Sequence, residues 1–239
     1  MIPYIIINGF ASKDVNGLLI QSLAPISKPA MRIEKEEIDG RDGDIVTPLG
    51  YEAYNKAVTI GLKGDYNIDD IIEFFNTSGQ IIFSNEPDKY YNFAVYDQID
   101  FNRLVRFRTA VVNFYVQPFK YALDMLPIIW ENPGTETIAK ISVRNTGNIY
   151  SRPKLIIVGK GDINLYINNV HILDIALPNT EQAIIIDGET MNATDEAGNY
   201  LNRIVTGDYN DIVAGVGVSS FRITGQLTSI TIDKYSRWI

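Results

Sequence analysis

Between Tyr121 and Thr135 the chain carries Pro127 and the pair Pro133-Gly134, with Pro118 just upstream, and neither helical nor strand periodicity persists through the stretch. Proline fixes its own φ and offers no N–H to a ladder, so repeated prolines interrupt any regular element that tries to pass. This punctuation divides the 239 residues into two pieces. Each piece has an ordinary domain size and can bury its own core. The boundary is placed so that residues 1–126 form one domain and residues 127–239 the other.

The patterns on the two sides differ. Before the joint, Tyr4 to Ile7 reads as a strand ending in the hairpin dipeptide Asn8-Gly9. Met31, Ile33 and the charges through Glu37 read as a half-exposed strand, closed by the polar turn Asp39-Gly40-Arg41-Asp42-Gly43-Asp44. A short strand over Ala57 to Lys63 holds Gly61, where a bulge or a close approach is expected. One helix is clear: Asn67 caps it, Asp69 and Asp70 favour its positive end, Ile68, Ile71, Ile72 and Phe75 line one face, and Gly79 follows its last turn. Strands over Ile81 to Ser84 and Tyr90 to Tyr96 flank the turn at Asn85 to Lys89. From Phe101 to Gln117 the alternation predicts one overlong strand, with Arg106 and Arg108 on one face and Arg103 on the other.

After the joint, short strands alternate with Gly- and Asn-containing turns, the pattern of a β-sandwich. Asn168-Asn169 predicts a two-residue hairpin that pairs Ile167 with Val170 and Leu165 with Ile172. Further strands are expected over Ala183 to Asp187, Phe221 to Thr224 and Leu227 to Asp233, with turns at Asp195 to Asn199 and Gly215 to Gly217. The fold class is mainly β with one clear helix.

Chemistry is sparse. With no cysteine there is no thiol nucleophile, disulfide or thiolate metal site. The single histidine, His171, deprives relays and two-histidine metal sites of their usual member and reads as a strand residue. Asp39, Asp42 and Asp44 lack the spacing of an EF-hand loop and read as a solvated turn. No carboxylate pair stands out among 29 acidic residues for glycoside hydrolysis. No phosphate loop or dinucleotide fingerprint is present, so neither a cofactor nor a catalytic role is expected. The net charge of −8 is spread over both halves, with 12 basic and 17 acidic side chains in residues 1–125 and 9 and 12 in residues 126–239. Stable nucleic-acid binding is not expected of such a surface. No apolar run reaches the roughly 18 residues of a membrane helix, so membrane insertion is not expected either. The two Asn-x-Thr/Ser matches, at Asn76 and Asn192, read as turn chemistry in a chain whose N-terminus lacks the features of a signal peptide.

Several ordered runs resemble the distal tail protein family, the baseplate hub of long-tailed bacteriophages that infect Gram-positive bacteria. In the first half these are Ile38 to Asp44, Phe83 to Tyr91, Arg106-Phe107-Arg108 and Gln117 to Tyr121. In the second half they are Asn145 to Asn148 ahead of Ser151-Arg152-Pro153, Gly161-Asp162-Ile163, Gly198-Asn199 with Leu201-Asn202-Arg203, Gly207-Asp208-Tyr209 and Arg237-Trp238. The resemblance implies a tail-tube-like N-terminal domain that closes into a homo-hexameric ring, single or stacked, around the DNA-ejection channel. It also implies an outward galectin-like β-sandwich. The implied partners are the tail tube protein, a central tail-tip protein and receptor-binding or adhesion proteins, with assembly in the host cytoplasm and residence at the virion tail tip. A ring also gives the overlong strand a purpose, since pairing across subunits satisfies its edges. Assembly or architecture is therefore assigned to the turn Gly40, Arg41, Asp42, Gly43 and Asp44, to Arg103, Arg106 and Arg108, and to a buried Trp238. The alternative is a monomeric carbohydrate-binding sandwich that adheres to the host surface through exposed aromatics, and a glycosidase is a third class.

Overall fold

The computed structural model describes residues 2–123, 125–134, 136–233 and 236–239. The expected joint therefore includes positions 124 and 135, which lie outside the described residues. The chain divides into two compact units, residues 1–123 with residue 239, and residues 124–238.

The first unit begins with β1 (Ile5–Ile7) and β2 (Phe10–Ala11), paired across Asn8 and Gly9, whose φ values of 49° and 89° are those of a type I′ turn. β3 (Leu18–Ser22) follows, then β4 (Met31–Glu36) and β5 (Ile45–Tyr51), then β6 (Tyr54–Leu62). Helix α1 (Ile68–Phe75) is capped by the Asn67 side chain, which accepts from the Asp69 N–H at 3.1 Å. Ile71 and Phe75 are fully buried, each contributing about 2 kcal/mol of apolar burial. Ile72 stands at the margin, so the apolar face is narrower than expected. The helix ends at Asn76, and Gly79 lies instead in β7 (Ser78–Phe83), which pairs with β8 (Lys89–Ala94).

The expected strand over Phe101 to Gln117 is a helix followed by a strand. Asp100 accepts from the Arg103 N–H at 2.8 Å and starts α2 (Phe101–Phe107), and Arg108 ends it in the left-handed conformation at φ 58°. The apolar residues of this stretch satisfy both periods, and the helix wins because Asp100 can cap it and Leu104 can be fully buried. The three arginines thus belong to a helix and its cap, not to strand faces. β9 (Thr109–Ala122) is still long, 14 residues, with Ala110, Val112, Phe114 and Val116 buried while Val111 and Tyr115 face outward. Pro118 lies inside it where the pairing to β8 jumps from Phe93↔Val116 to Tyr91↔Lys120, a bulge that spares proline a ladder bond.

Seven strands run in the order β2-β1-β7-β8-β9-β6-β3, enclosing one core with α1 and Leu104 of α2. Gly61 pairs with Leu19 without a bulge of its own; β3 bulges instead at Gln21, opposite the Thr59–Ile60 step, and the Gln21 side chain fills the space a Cβ on Gly61 would take. Among the described residues β4 and β5 pair only with each other and form a ribbon.

The second unit contains β10 (Ile128–Glu131), β11 (Ile138–Asn145), β12 (Lys154–Ile167), β13 (Val170–Ala176), β14 (Gln182–Asp187), β15 (Asn192–Thr194), β16 (Val205–Gly207) and β17 (Gly217–Asp233). The strands expected at Phe221 to Thr224 and Leu227 to Asp233 are the two ends of β17. Its first half pairs with β11 and the end of β12, and its second half with β10 and the start of β12. β12 in turn pairs with β14 through its first half and β13 through its second. Both strands change layer where the β12–β17 register jumps, so two five-stranded layers enclose a single apolar core. Gly225, at φ 141°, is needed there because a Cβ would lie 2.6 Å from the Asp162 carbonyl oxygen.

The Asn168-Asn169 hairpin forms, both residues at positive φ, and pairs Ile167 with Val170. The second expected pair does not: a bulge inserts after Tyr166↔His171, so Leu165 faces Leu173. The bulge lets Ile172 and Leu173 both be buried, which strict alternation forbids.

Candidate assembly interface

Three surfaces and two buried polar centres hold the side chains that matter. The β4–β5 ribbon is exposed throughout β4 and over most of β5. Ile33 pairs with Pro48 and Lys35 with Val46, which puts Ile33 and Val46 on one face, both open to solvent. Its tip is the turn Gly40 to Asp44, where Gly40 and Gly43 adopt φ values of 81° and 77°. No cluster of potential metal ligands forms there or elsewhere among the described residues.

On α2, Leu104 faces the core, and at 100° per residue Asn102 and Arg106 fall on the opposite side. Val105 and Phe107 are exposed apolar side chains, Phe107 on the same side as Arg103 and Val105 on the other. Arg106 lies over the Phe107 ring at 5.3 Å and Arg108 over Tyr66 at 5.0 Å. Among the described residues none of Arg103, Arg106 or Arg108 makes an ion pair. A third surface is a cleft of about 380 Å³ between the β1–β2 hairpin and α1, floored by Ile7 and Phe74 and edged by Asp14, Asp70 and Glu73.

The first buried centre links Glu86, Tyr91, Lys120, Lys56 and Tyr54. Glu86 takes a 2.7 Å hydrogen bond from the Tyr91 hydroxyl on one oxygen and the Lys120 ammonium on the other. Lys56 donates to the Pro25 carbonyl at 3.2 Å and lies 5.0 Å from the Tyr91 ring centroid. Burial pushes Lys56 below the usual lysine range, with Glu86 opposing. Burial, then the bond to Glu86, raises Tyr91 far above an ordinary tyrosine, and burial raises Tyr54 as well. The groups satisfy one another and tie the segment before β4 to the sheet. The sequence signal was parity: Lys56 alternates with Val58 and Ile60, so a charge occupies a core-facing strand position.

The second centre is Arg237, 1% exposed, which donates to the Tyr150 carbonyl at 2.7 Å and to Glu189 at 2.7 Å. Gly147 lets it dock, since a Cβ there would lie 1.9 Å from the Arg237 carbonyl oxygen. Trp238 is half-buried, and the fully buried residue of this C-terminal pair is Arg237. His171 is exposed, 2.8 Å from Asp174 and against Tyr166, whose ring is covered by the Arg222 guanidinium at 3.7 Å. Turn Gly40 to Asp44 and α2 belong to the first unit and Trp238 to the second.

Residues 12–116 match the family model of the phage tail protein RIFT-related domain. The whole chain is similar in fold to the SPP1 Dit (gp 19.1) protein, described as a paradigm of the hub adsorption apparatus in phages that infect Gram-positive bacteria. The TM-score is 0.70 at 17% identity, with 100% of both chains covered. A chain of the phage P2 baseplate in its activated conformation with Ca is also similar, at TM-score 0.48 and 9% identity over 98% of each chain. No curated protein matches in sequence.

Proposed function

We propose that this chain, Dit-like in fold over its full length and carrying a phage tail domain over residues 12–116, is a structural hub of a phage tail tip, without catalytic activity. It acts in the virion as a homo-hexameric ring, single or stacked, that joins the tail tube to a central tip protein and to receptor-binding proteins, and that lines the channel for DNA. Residues 1–126 form the ring and residues 127–239 a galectin-like sandwich that faces partners. The observation that carries this reading is the fold likeness to SPP1 Dit across the whole of both chains.

The surfaces support it. A two-stranded ribbon carrying Ile33, Val46 and Leu49 in solvent contributes nothing to its own core and suits burial against another subunit. The turn Gly40 to Asp44 then reaches a neighbour, and Arg103, Arg106 and Arg108 pair with carboxylates of an adjacent copy. Trp238 serves the architecture of the C-terminus. A net charge of −8 suits a conduit that must not retain DNA. The rival carbohydrate-binding reading needs several open aromatic faces together; Tyr166 has its ring covered by Arg222 and Tyr150 faces Arg237 at 4.7 Å, while Tyr200 is 74% exposed.

Size-exclusion chromatography with light scattering and negative-stain imaging of the purified chain test the proposal. Six-fold rings with a central hole are expected. A particle that stays monomeric at high concentration overturns the ring.

A further inference from the structure

We infer that the cleft between the β1–β2 hairpin and α1 is the receptor for helix α2 of a neighbouring copy of this chain; the inference rests on the ring reading above. The cleft is apolar within and acidic at its edge: Phe10, 75% exposed, stands at its mouth, Phe74 lies inside, and Asp14, Asp70 and Glu73 surround them. Helix α2 presents the complement. Phe107, 63% exposed, shares one side of the helix with Arg103, four residues before it, and Arg106, while Val105 is exposed on the other side.

The charges of both surfaces are unspent. Among the described residues none of these three carboxylates and neither arginine makes an ion pair. Asp70 takes one hydrogen bond, from Asn67 in the α1 cap. An acid-edged apolar cleft selects a basic apolar occupant, because like charges brought to its edge are repelled while arginines there lose water in exchange for carboxylates. This chain itself supplies such an occupant.

The two surfaces share no residue. A contact between unlike surfaces of identical subunits is heterologous, and it propagates head to tail until a ring closes. Every copy in a closed ring then has its cleft filled and its helix docked, leaving neither Phe10 nor Phe107 in water. Helix α2 is also fit to act as a knob. Leu104 locks its inner face in the core and Asp100 fixes its first turn, so the outer face is presented with little loss of freedom on docking.

A two-variant mixing experiment tests this. Variant one, Asp14→Arg with Glu73→Arg, has a basic cleft and a basic helix. Variant two, Arg103→Glu with Arg106→Glu, has an acidic cleft and an acidic helix. Each alone should lose ring formation, and an equimolar mixture should regain it as alternating rings, since each helix then meets a cleft of opposite sign. Circular dichroism establishes that both variants fold. As a second measurement independent of charge, Thr77→Cys and Asn102→Cys in the otherwise cysteine-free chain should join across subunits through a short thiol cross-linker. Wild-type rings together with failure of both the rescue and the cross-link overturn this interface and leave the ring standing, as would docking of another protein's basic segment in the cleft. A wild-type chain that never assembles overturns both.

Discussion

The side chain of Asn8 occupies the space that Gly79 leaves open. The Asn8 amide accepts from the Gln80 N–H at 2.9 Å and donates to the Ser78 carbonyl at 3.0 Å and to Thr77 at 3.2 Å, while a Cβ on Gly79 would lie 2.3 Å from the Asn8 Oδ1. One residue therefore turns the first hairpin and clamps the start of β7. Gly79→Ala should cost about 2 kcal/mol, through displacement of that amide and through its φ of 136°. Asn8→Gly, which keeps the turn but loses the clamp, should cost about 1 kcal/mol. Urea denaturation of the two variants measures both, and a neutral Gly79→Ala would contradict the clamp.

The buried cluster at Glu86 predicts an asymmetry. Removing the one carboxylate by Glu86→Gln leaves Lys120, and nearby Lys56, without their compensating charge, and should cost about 3–5 kcal/mol. Tyr91→Phe removes only one hydrogen bond to that carboxylate and should cost about 1 kcal/mol. Thermal or chemical denaturation gives the ranking directly, and equal losses would mean that the charge is not compensated as described.

Alkaline pH provides a second probe of this cluster. Tyr91 and Tyr54 have pKa values raised above 10.0 in the folded protein, so above that pH the unfolded chain loses protons that the native state keeps. Their contribution is complete below pH 10 and is lost as pH rises beyond it. Lys56, lowered from 10.5, acts oppositely: its cost to the native state fades as pH approaches 10.5. Melting temperature followed from pH 8 upward should fall more steeply past pH 10 in the parent than in Tyr91→Phe. Identical profiles would show that Tyr91 ionises freely.

The ribbon separates stability from assembly. Ile33→Asp with Val46→Asp places charges on an apolar face that is already solvated, so the stability should change by no more than about 0.5 kcal/mol per site, the range of surface changes. Ring formation should fall sharply. Light scattering beside calorimetry distinguishes the two, and rings of wild-type abundance would remove the ribbon from the interface.

Local chemistry in the chain decided both hairpin turns, the cap and inner face of α1 and the β-rich character, because positive-φ turns, a capping side chain and a period of 3.6 are properties of neighbours in sequence. Asn8-Gly9, Asn168-Asn169 and Asn67 needed no distant partner to be legible. The residues around Phe101 to Arg108 satisfied two periods at once, and the Asp100 cap together with a buried place for Leu104 selected the helix, moving the arginines from strand to helix surface. Tertiary structure likewise decided that Phe221 to Thr224 and Leu227 to Asp233 are one strand, since Gly225 reads locally as a break and becomes a bend only when two layers share β17. The same holds for the surfaces assigned to assembly: the acidic cleft draws residues from positions 7 to 77, and no pattern in sequence brings them together. Turns and caps are settled by short-range sterics and hydrogen bonds, whereas helix against strand, layer crossing and a cleft's charge are settled by what the folded chain can bury.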